Sequence, residues 1–154
     1  MFFGKKKEKV ISPLKGEVIP LEKVKDPVFS QGLMGKGCAI IPTKDVKDVC
    51  APIDGTIIVL PETCHAFGIR TNKGIEYLVH IGIDTVNLHG EGFQAHKKEG
   101  DVVKAGEVVI TLEESLFEKG YDLTTILVCT SKENEKIGEI DYQAKHQGDT
   151  LFQM

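Results

Sequence analysis

Two histidines, His65 and His80, lie on either side of a strong turn signal, Asn72-Lys73-Gly74. The segments that flank this turn are rich in aliphatic residues, so we expect a β-hairpin that carries one imidazole on each strand. Imidazole titrates near neutral pH, so one ring can act as a neutral nucleophile while the other donates a hydrogen bond. Such a pair suits transient phosphorylation, because one nitrogen attacks phosphorus while the second ring stabilises charge on the phosphoryl oxygens.

Whether the two rings meet depends on the register of the hairpin. A two-residue loop places His65 directly opposite His80. On the same face, that register puts Phe67 opposite Leu78. A three-residue loop that ends in a bulge at Gly74 shifts the pairing by one residue and is expected to turn the two rings to opposite faces. The residues of the hairpin leave both registers open.

The rest of the chain has the pattern of an all-β protein. Its apolar stretches are short and β-branched, and turn signals separate them about every ten residues, as in sandwiches and barrels. The only persuasive helical segment is 113–119, which has an acidic start and is followed by Gly120. Residues 1–9 read as a flexible charged tail, and 10–154 as a single domain.

One internal repeat is visible, because residues 12–21 align without gaps on residues 51–60. Both copies read small, Pro, aliphatic, charged, Gly, polar, aliphatic, Ile, any residue, Leu. We interpret the proline as the start of an extended segment, the charged residue and glycine as a turn with positive φ, and the remainder as a strand. The repeat predicts a duplicated β-motif whose halves pack together.

Composition and charge exclude several classes of protein. The 154 residues carry a net charge of −4 with both signs scattered, so the chain lacks the clustered basic excess of nucleic-acid binders. No apolar run approaches the length of a bilayer span, and the N-terminal residues do not form a signal peptide. The four cysteines contain no CxxC pair, which favours free thiols in a reducing compartment. We therefore expect a cytoplasmic protein.

The surroundings of the two histidines resemble a known family. Residues 74–86, Gly-Ile-Glu-Tyr-Leu-Val-His-Ile-Gly-Ile-Asp-Thr-Val, closely resemble the signature around the phosphorylated histidine of glucose-type enzyme IIA domains. These domains belong to the bacterial phosphoenolpyruvate-dependent sugar phosphotransferase system. Residues 63–67, 51–56 and 90–93 are also similar to motifs of that family, and the likeness extends from about residue 12 to residue 131.

The resemblance implies a fold, a function and partners. The fold is a flattened antiparallel β-sandwich or barrel, built from a duplicated hybrid motif with very little helix. The resemblance also favours the two-residue register, in which the rings of His65 and His80 converge. His80 accepts phosphate through Nε2 from the phosphocarrier HPr and passes it to a cysteine of a IIB domain. His65 orients the group and stabilises the transition state, while Thr63 hydrogen-bonds one of the rings. The implied protein is a monomer that needs no cofactor.

A partner-facing surface is also expected around His80. Because the donor must bring cations to a phosphoryl group, Asp84 and Asp26 look like matching acidic contacts. Exposed apolar side chains usually mark interaction sites, and Phe29 is equally compatible with burial in the core. The apolar candidates for this surface are Phe67, Leu78, Phe29, Leu33 and Met34.

Other chemistries fit these residues less well. A stable zinc site needs three or four protein ligands, and no third ligand accompanies the two histidines, so we expect no metal. Zinc-dependent cell-wall peptidases use an HxH arrangement, which His80-Ile81-Gly82 lacks. Residues 98–107 have turn residues spaced as in biotinyl or lipoyl carriers. The chain contains no Met-Lys-Met or Asp-Lys-Ala hairpin tip that could present a modified lysine.

Overall fold

The computed structural model describes residues 7–154, and strands dominate this part of the chain. The strands are β1 (Lys9–Ile11), β2 (Gly16–Pro20), β3 (Lys36–Pro42), β4 (Asp48–Cys50), β5 (Gly55–Val59), β6 (Ala66–Arg70), β7 (Glu76–Ile81), β8 (Phe93–Ala95), β9 (Val102–Val103), β10 (Val108–Leu112), β11 (Thr125–Cys129) and β12 (Thr150–Gln153). Two one-turn α-helices, α1 (Pro27–Ser30) and α2 (Ser115–Glu118), and 3₁₀ turns at Leu21–Lys23, Thr85–Leu88 and Lys132–Lys136 complete the elements.

The strands form three sheets, and every strand pairing within residues 7–154 is antiparallel. The largest sheet has seven strands in the order β2-β3-β11-β7-β6-β5-β9. A second sheet has the order β4-β10-β8, and β1 pairs with β12 in the third. This architecture confirms the prediction of an all-β antiparallel fold with very little helix.

The seven-stranded sheet buries apolar side chains on both faces. Alternation along β7 sends Tyr77, Val79 and Ile81 into the main core, which also contains residues of the three-stranded sheet. The opposite face carries a smaller apolar cluster that includes Phe29 of α1. We call this second face the outer face; the intervening residues of β7, among them His80, belong to it.

The two repeat copies occupy equivalent places and touch each other. Their glycines, Gly16 and Gly55, are the first residues of β2 and β5. Backbone hydrogen bonds of 2.9 Å run from Cys50 N to Pro13 O and from Ile11 N to Pro52 O, so the proline of each copy is bonded to the residue that precedes the other copy. This contact agrees with a duplicated motif whose halves pack together.

The expected positive φ at these glycines is wrong. Neither Gly16 nor Gly55 has a left-handed backbone. Each lies so close to the neighbouring strand that a Cβ would run into a backbone carbonyl oxygen, that of Ile41 for Gly16 and that of Arg70 for Gly55. Glycine is therefore required here by close approach of two backbones rather than by turn geometry.

Gly55→Ala should consequently destabilise the fold. The added methyl would also lie 2.9 Å from Cγ1 of Ile69, so β5 or β6 must shift, at a cost of about 1–3 kcal/mol. Urea denaturation measures this loss. Gly68→Ala is the matched control, because its Cβ would meet Ile58 Cγ1 at an ordinary 3.4 Å. Equal stability of the Gly55→Ala and wild-type proteins would show that glycine is not required at this close approach.

The structure differs from the sequence prediction at the ends of two predicted segments. The helix predicted over 113–119 is present as α2 over a shorter range, and Gly120 follows it with φ 78°. The predicted tail boundary at residue 9 is wrong, because Lys9 begins β1 and the backbone of Glu8 exchanges two hydrogen bonds with Met154. Residues 1–6 of that predicted tail lie outside the described residues. None of the described helices has the length and apolarity that crossing a bilayer requires.

Candidate functional site

The hairpin that carries the two histidines adopts the three-residue loop. Ala66 pairs with His80, one residue away from the register of a two-residue loop. The loop is closed by hydrogen bonds from Gly74 N to Thr71 O and from Thr71 N to Ile75 O, both 2.9 Å, and Gly74 has φ 81°. This is the bulged alternative, so the two-residue register is wrong.

The two imidazoles nevertheless meet. Their ring centroids are 5.1 Å apart and the planes cross at 84°, an edge-to-face contact. The expectation that this register separates the rings is wrong because it extends strand alternation to His65, which precedes the first residue of β6. Cys64 has a left-handed φ of 54°, so the chain bends just before His65 and directs its ring toward His80. The convergence implied by the resemblance is present.

Thr63 holds the ring of His65. Its Oγ1 lies 2.7 Å from Nδ1 of His65, which is a short side-chain hydrogen bond. The His65 ring is half-buried, and this burial lowers the pKa of His65 below its ordinary value. The expected hydrogen bond between Thr63 and one of the rings is therefore present.

His80 lies between apolar neighbours on the outer face. Its partners across the sheet are Ala66 on β6 and Ile126 on β11. The ring of Phe29 packs on it from α1, with centroids 5.0 Å apart and planes inclined by 54°. The Nδ1 atom of His80 is buried and has no hydrogen-bond partner of good geometry among residues 7–154. The ring is thus held mainly by packing.

Burial and the neighbouring imidazole lower the pKa of His80. Desolvation is the larger cause, and the nearby His65 ring adds to it. The backbone of Gly82 and the negative charges of Asp26 and Asp84 act in the opposite direction, since they favour the protonated ring. The net direction is downward, so both imidazoles of the pair are neutral near pH 7. Residues 7–154 contain no group of three or more side chains arranged to ligate a metal.

The two acidic candidates lie near His80 and also shape the backbone. Asp26 caps α1, because its Oδ1 accepts a 3.0 Å hydrogen bond from Val28 N. Asp84 is exposed, has a left-handed φ of 58°, and precedes the Thr85–Leu88 turn. Both carboxylates influence the charge of His80, and so both lie within electrostatic reach of it.

The apolar candidates divide into surface and core residues. Leu33 is 69% exposed and Met34 is 38% exposed, while Leu78 is half-buried on the same outer face as His80. Phe29 is only 5% exposed, so it belongs to the outer-face cluster rather than to an open surface. Phe67 is fully buried in the main core.

The proposal of Phe67 as a partner contact is therefore wrong. In the observed register Phe67 pairs with Val79, and Gly68 pairs with Leu78. Because successive side chains of a strand point to opposite faces, the one-residue shift moves Phe67 from the outer face into the core. This single correction follows directly from the loop length.

The sequence reasoning missed α1 and its exposed residue Val28, which is 44% exposed. Its signal was present, since Asp26 followed by Pro27 is a helix start, with an aspartate N-cap and proline in the first turn. We call Val28, Leu33 and Met34 the apolar surface patch. Its members flank Phe29 in the chain, and the ring of Phe29 packs on the half-buried imidazole of His80.

Comparison with known proteins decides the family. The model of the phosphoenolpyruvate-dependent sugar phosphotransferase system, EIIA 1, matches residues 8–135. The chain belongs to this family. A beta-glucoside-specific EIIBCA component of Dickeya chrysanthemi is 46% identical over 128 residues, 82% of this chain but 20% of that protein. A glucose-specific EIIA component of Bacillus cereus is 45% identical over 125 residues, 80% of this chain and 74% of that protein.

The fold of the EIIA domain is shared as well. The structure of glucose permease IIA from Mycoplasma capricolum superposes with a TM-score of 0.89 at 33% identity and covers 99% of both chains. The EIIA domain is thus a phosphotransferase component of the sugar phosphotransferase system. It spans about a fifth of the EIIBCA relative, in which an EIIA region forms part of a much longer protein.

The lowered pKa values predict the pH dependence of the site. Both folded-state pKa values lie below the ordinary value of about 6.5, so the unfolded chain takes up protons first as the pH falls. The stability that this difference contributes is complete above about pH 7 and is lost as the pH falls through the folded-state pKa values. Imidazole NMR titrations and urea denaturation at pH 7.5 and 5.5 check this. A pKa above 6.5 for either ring would contradict it.

Proposed function

We propose that this EIIA domain carries a phosphoryl group on Nε2 of His80, received from HPr and delivered to a cysteine of a IIB domain. The observation that carries the proposal is the edge-to-face contact of two half-buried imidazoles at 5.1 Å. His80 supplies the nucleophile and His65 supplies the hydrogen-bond donor. Both rings are accessible beside the apolar surface patch.

Acceptance requires a neutral ring with a free lone pair on Nε2. The lowered pKa of His80 supplies the neutral ring at pH 7. For Nε2 to attack, the single ring proton must reside on Nδ1, the buried nitrogen of the ring. Nε2 attacks phosphorus, the new N–P bond forms, and the bond between phosphorus and the donor breaks. No oxidant or reductant takes part.

His65 stabilises the group in transit. In the proposed relay the hydroxyl of Thr63, 2.7 Å from Nδ1 of His65, donates to that nitrogen, and the ring proton of His65 is then on Nε2. That N–H is then available to a phosphoryl oxygen while phosphorus is transferred to the thiolate of the acceptor. The N–P bond breaks and an S–P bond forms, so the phosphoryl group leaves His80 as it arrived.

The surroundings of His80 suit protein partners. The apolar surface patch can exclude water from the docked complex and so protect the phosphohistidine. Asp26 and Asp84 attract the cationic groups with which a donor holds its own phosphoryl group. The EIIBCA relative, in which the A region shares a chain with B and C regions, supports a IIB domain as the acceptor.

The proposal is tested by reconstituting the relay. The EIIA domain is incubated with phosphoenolpyruvate, enzyme I and HPr, and a IIB domain is then added. The proposal requires that the domain gains one acid-labile, base-stable phosphoryl group, which is lost when IIB is added. Absence of label in the presence of active HPr would overturn it.

Neutralising the two carboxylates should slow acceptance through electrostatics alone. Asn tolerates both the N-cap position of Asp26 and the left-handed backbone of Asp84, so Asp26→Asn and Asp84→Asn preserve the local fold. We expect the double variant to lower kcat/KM for HPr about tenfold at low salt and much less at high salt, because screening removes steering. The rates are measured at two ionic strengths. Equal slowing at both would exclude a steering role.

A further inference from the structure

Phe29 contacts the ring of His80, the proposed nucleophile, and offers little surface to a partner. Its side chain is 5% exposed, whereas its neighbours Val28 and Leu33 are 44% and 69% exposed. The ring centroid of Phe29 lies 5.0 Å from that of His80. A residue with this little free surface contributes little area to docking, yet it covers the imidazole that reacts.

The orientation of the His80 ring needs an explanation, since rotation about Cβ–Cγ of histidine is broad and roughly two-fold. A hydrogen bond at one ring nitrogen commonly fixes such a ring, as Thr63 does for His65. Nδ1 of His80 has no such partner of good geometry within residues 7–154. The backbone of Gly82 favours the protonated ring, and the flanking rings, Phe29 inclined at 54° and His65 at 84°, are the packing contacts that restrict rotation of the imidazole.

The helix that carries Phe29 is well anchored for this role. Asp26 caps α1, and Ser30 N and Gln31 N donate to Asp26 O and Pro27 O at 2.9 and 3.0 Å. Phe29 also packs in the outer-face cluster with Ile126, the cross-strand neighbour of His80. The position of the Phe29 ring is thus set by both the helix cap and the sheet.

We propose that Phe29 is a positioning residue for phosphoryl transfer, and that its ring holds the imidazole of His80 with Nε2 directed outward. Phe29 touches neither the phosphoryl group nor the attacking atom; it acts through His80. The inference rests on the proposed function, because it concerns the same nucleophile. Transfer needs in-line geometry, and small misplacements of a reacting atom reduce rates strongly.

Phe29→Leu removes the aromatic ring and keeps an apolar side chain. We expect kcat for acceptance from HPr to fall about tenfold with KM for HPr unchanged, because orientation is lost and docking is not. A ring that turns over also exposes Nδ1, so ³¹P NMR of the phosphorylated variant should show an Nδ1-phosphohistidine signal beside the Nε2 signal. Phe29→Tyr keeps the ring and should restore the wild-type kcat and the single Nε2 signal.

Val128→Ala is the control for general loss of packing. Val128 is fully buried in the same outer-face cluster but pairs with Leu78 rather than with His80. It should lose stability without a change in kcat or in the phosphorylated nitrogen. A raised KM with normal kcat in Phe29→Leu would overturn positioning in favour of docking, and an equal kcat loss in Val128→Ala would overturn it as well. If wild-type protein accepts no phosphoryl group, the proposed function itself fails.

Discussion

His80→Ala should abolish acceptance of phosphate from HPr. The variant removes the only group in the site that we assign as nucleophile, so the rate should fall by at least about three orders of magnitude. His80 is half-buried beside Phe29, Ile126 and Ala66, and alanine fits this apolar setting without an uncompensated polar atom. The measurement is the initial rate of labelling in the reconstituted relay, at equal concentrations of folded protein.

His146→Ala is the matched control for this experiment. The His146 side chain is 74% exposed and its contact is an exposed pairing with Asp149, so its loss should leave labelling unchanged. Labelling of His80→Ala at a rate within tenfold of wild type would show that another residue accepts the phosphoryl group, and the assignment of the nucleophile would be abandoned.

His65→Ala should separate the two half-reactions. The nucleophile is intact, so the variant still accepts phosphate from HPr, whereas donation to IIB should slow by about 10²–10³-fold because one preorganised donor to the phosphoryl group is lost. Single-turnover measurements of each half-reaction check this. The expected asymmetry follows from different roles for two rings that lie in direct contact.

Thr63→Val provides a graded version of the same test. It removes the 2.7 Å hydrogen bond to Nδ1 of His65 and leaves both imidazoles in place. Donation to IIB should therefore be impaired less than in His65→Ala, while acceptance stays near wild type. If His65→Ala instead loses acceptance as completely as His80→Ala, the two histidines do not have the separate roles proposed here.

The histidine pair could be found from sequence because it flanks a recognisable turn and because residues 74–86 resemble a family signature. The geometry of the pair could not be predicted, because a difference of one residue in loop length changes the register of the hairpin. The three-residue loop that ends at Gly74 sets the observed register. The convergence of the rings also depends on the left-handed backbone at Cys64, a residue type that rarely adopts it. Backbone features of this kind carry little signal in a single sequence.

Three other features of the structure also differ from the sequence predictions. Phe67 was placed on the wrong face because period-two alternation transmits a register error along the strand. The role of Gly16 and Gly55 was wrong because close approach of two backbones is a tertiary property, invisible in the order of residue classes. The sequence prediction did not include helix α1, because a helix of one turn is too short to show a helical periodicity. Asp26 and Pro27 are nevertheless residues typical of a helix start.

The most direct test of the account identifies the atom that carries the phosphoryl group. Wild-type protein labelled through HPr is digested at alkaline pH and mapped by mass spectrometry, and ³¹P NMR of the intact protein assigns the nitrogen. The account predicts one phosphoryl group per chain, on Nε2 of His80. A phosphoryl group on His65, or on any residue other than His80, would contradict it.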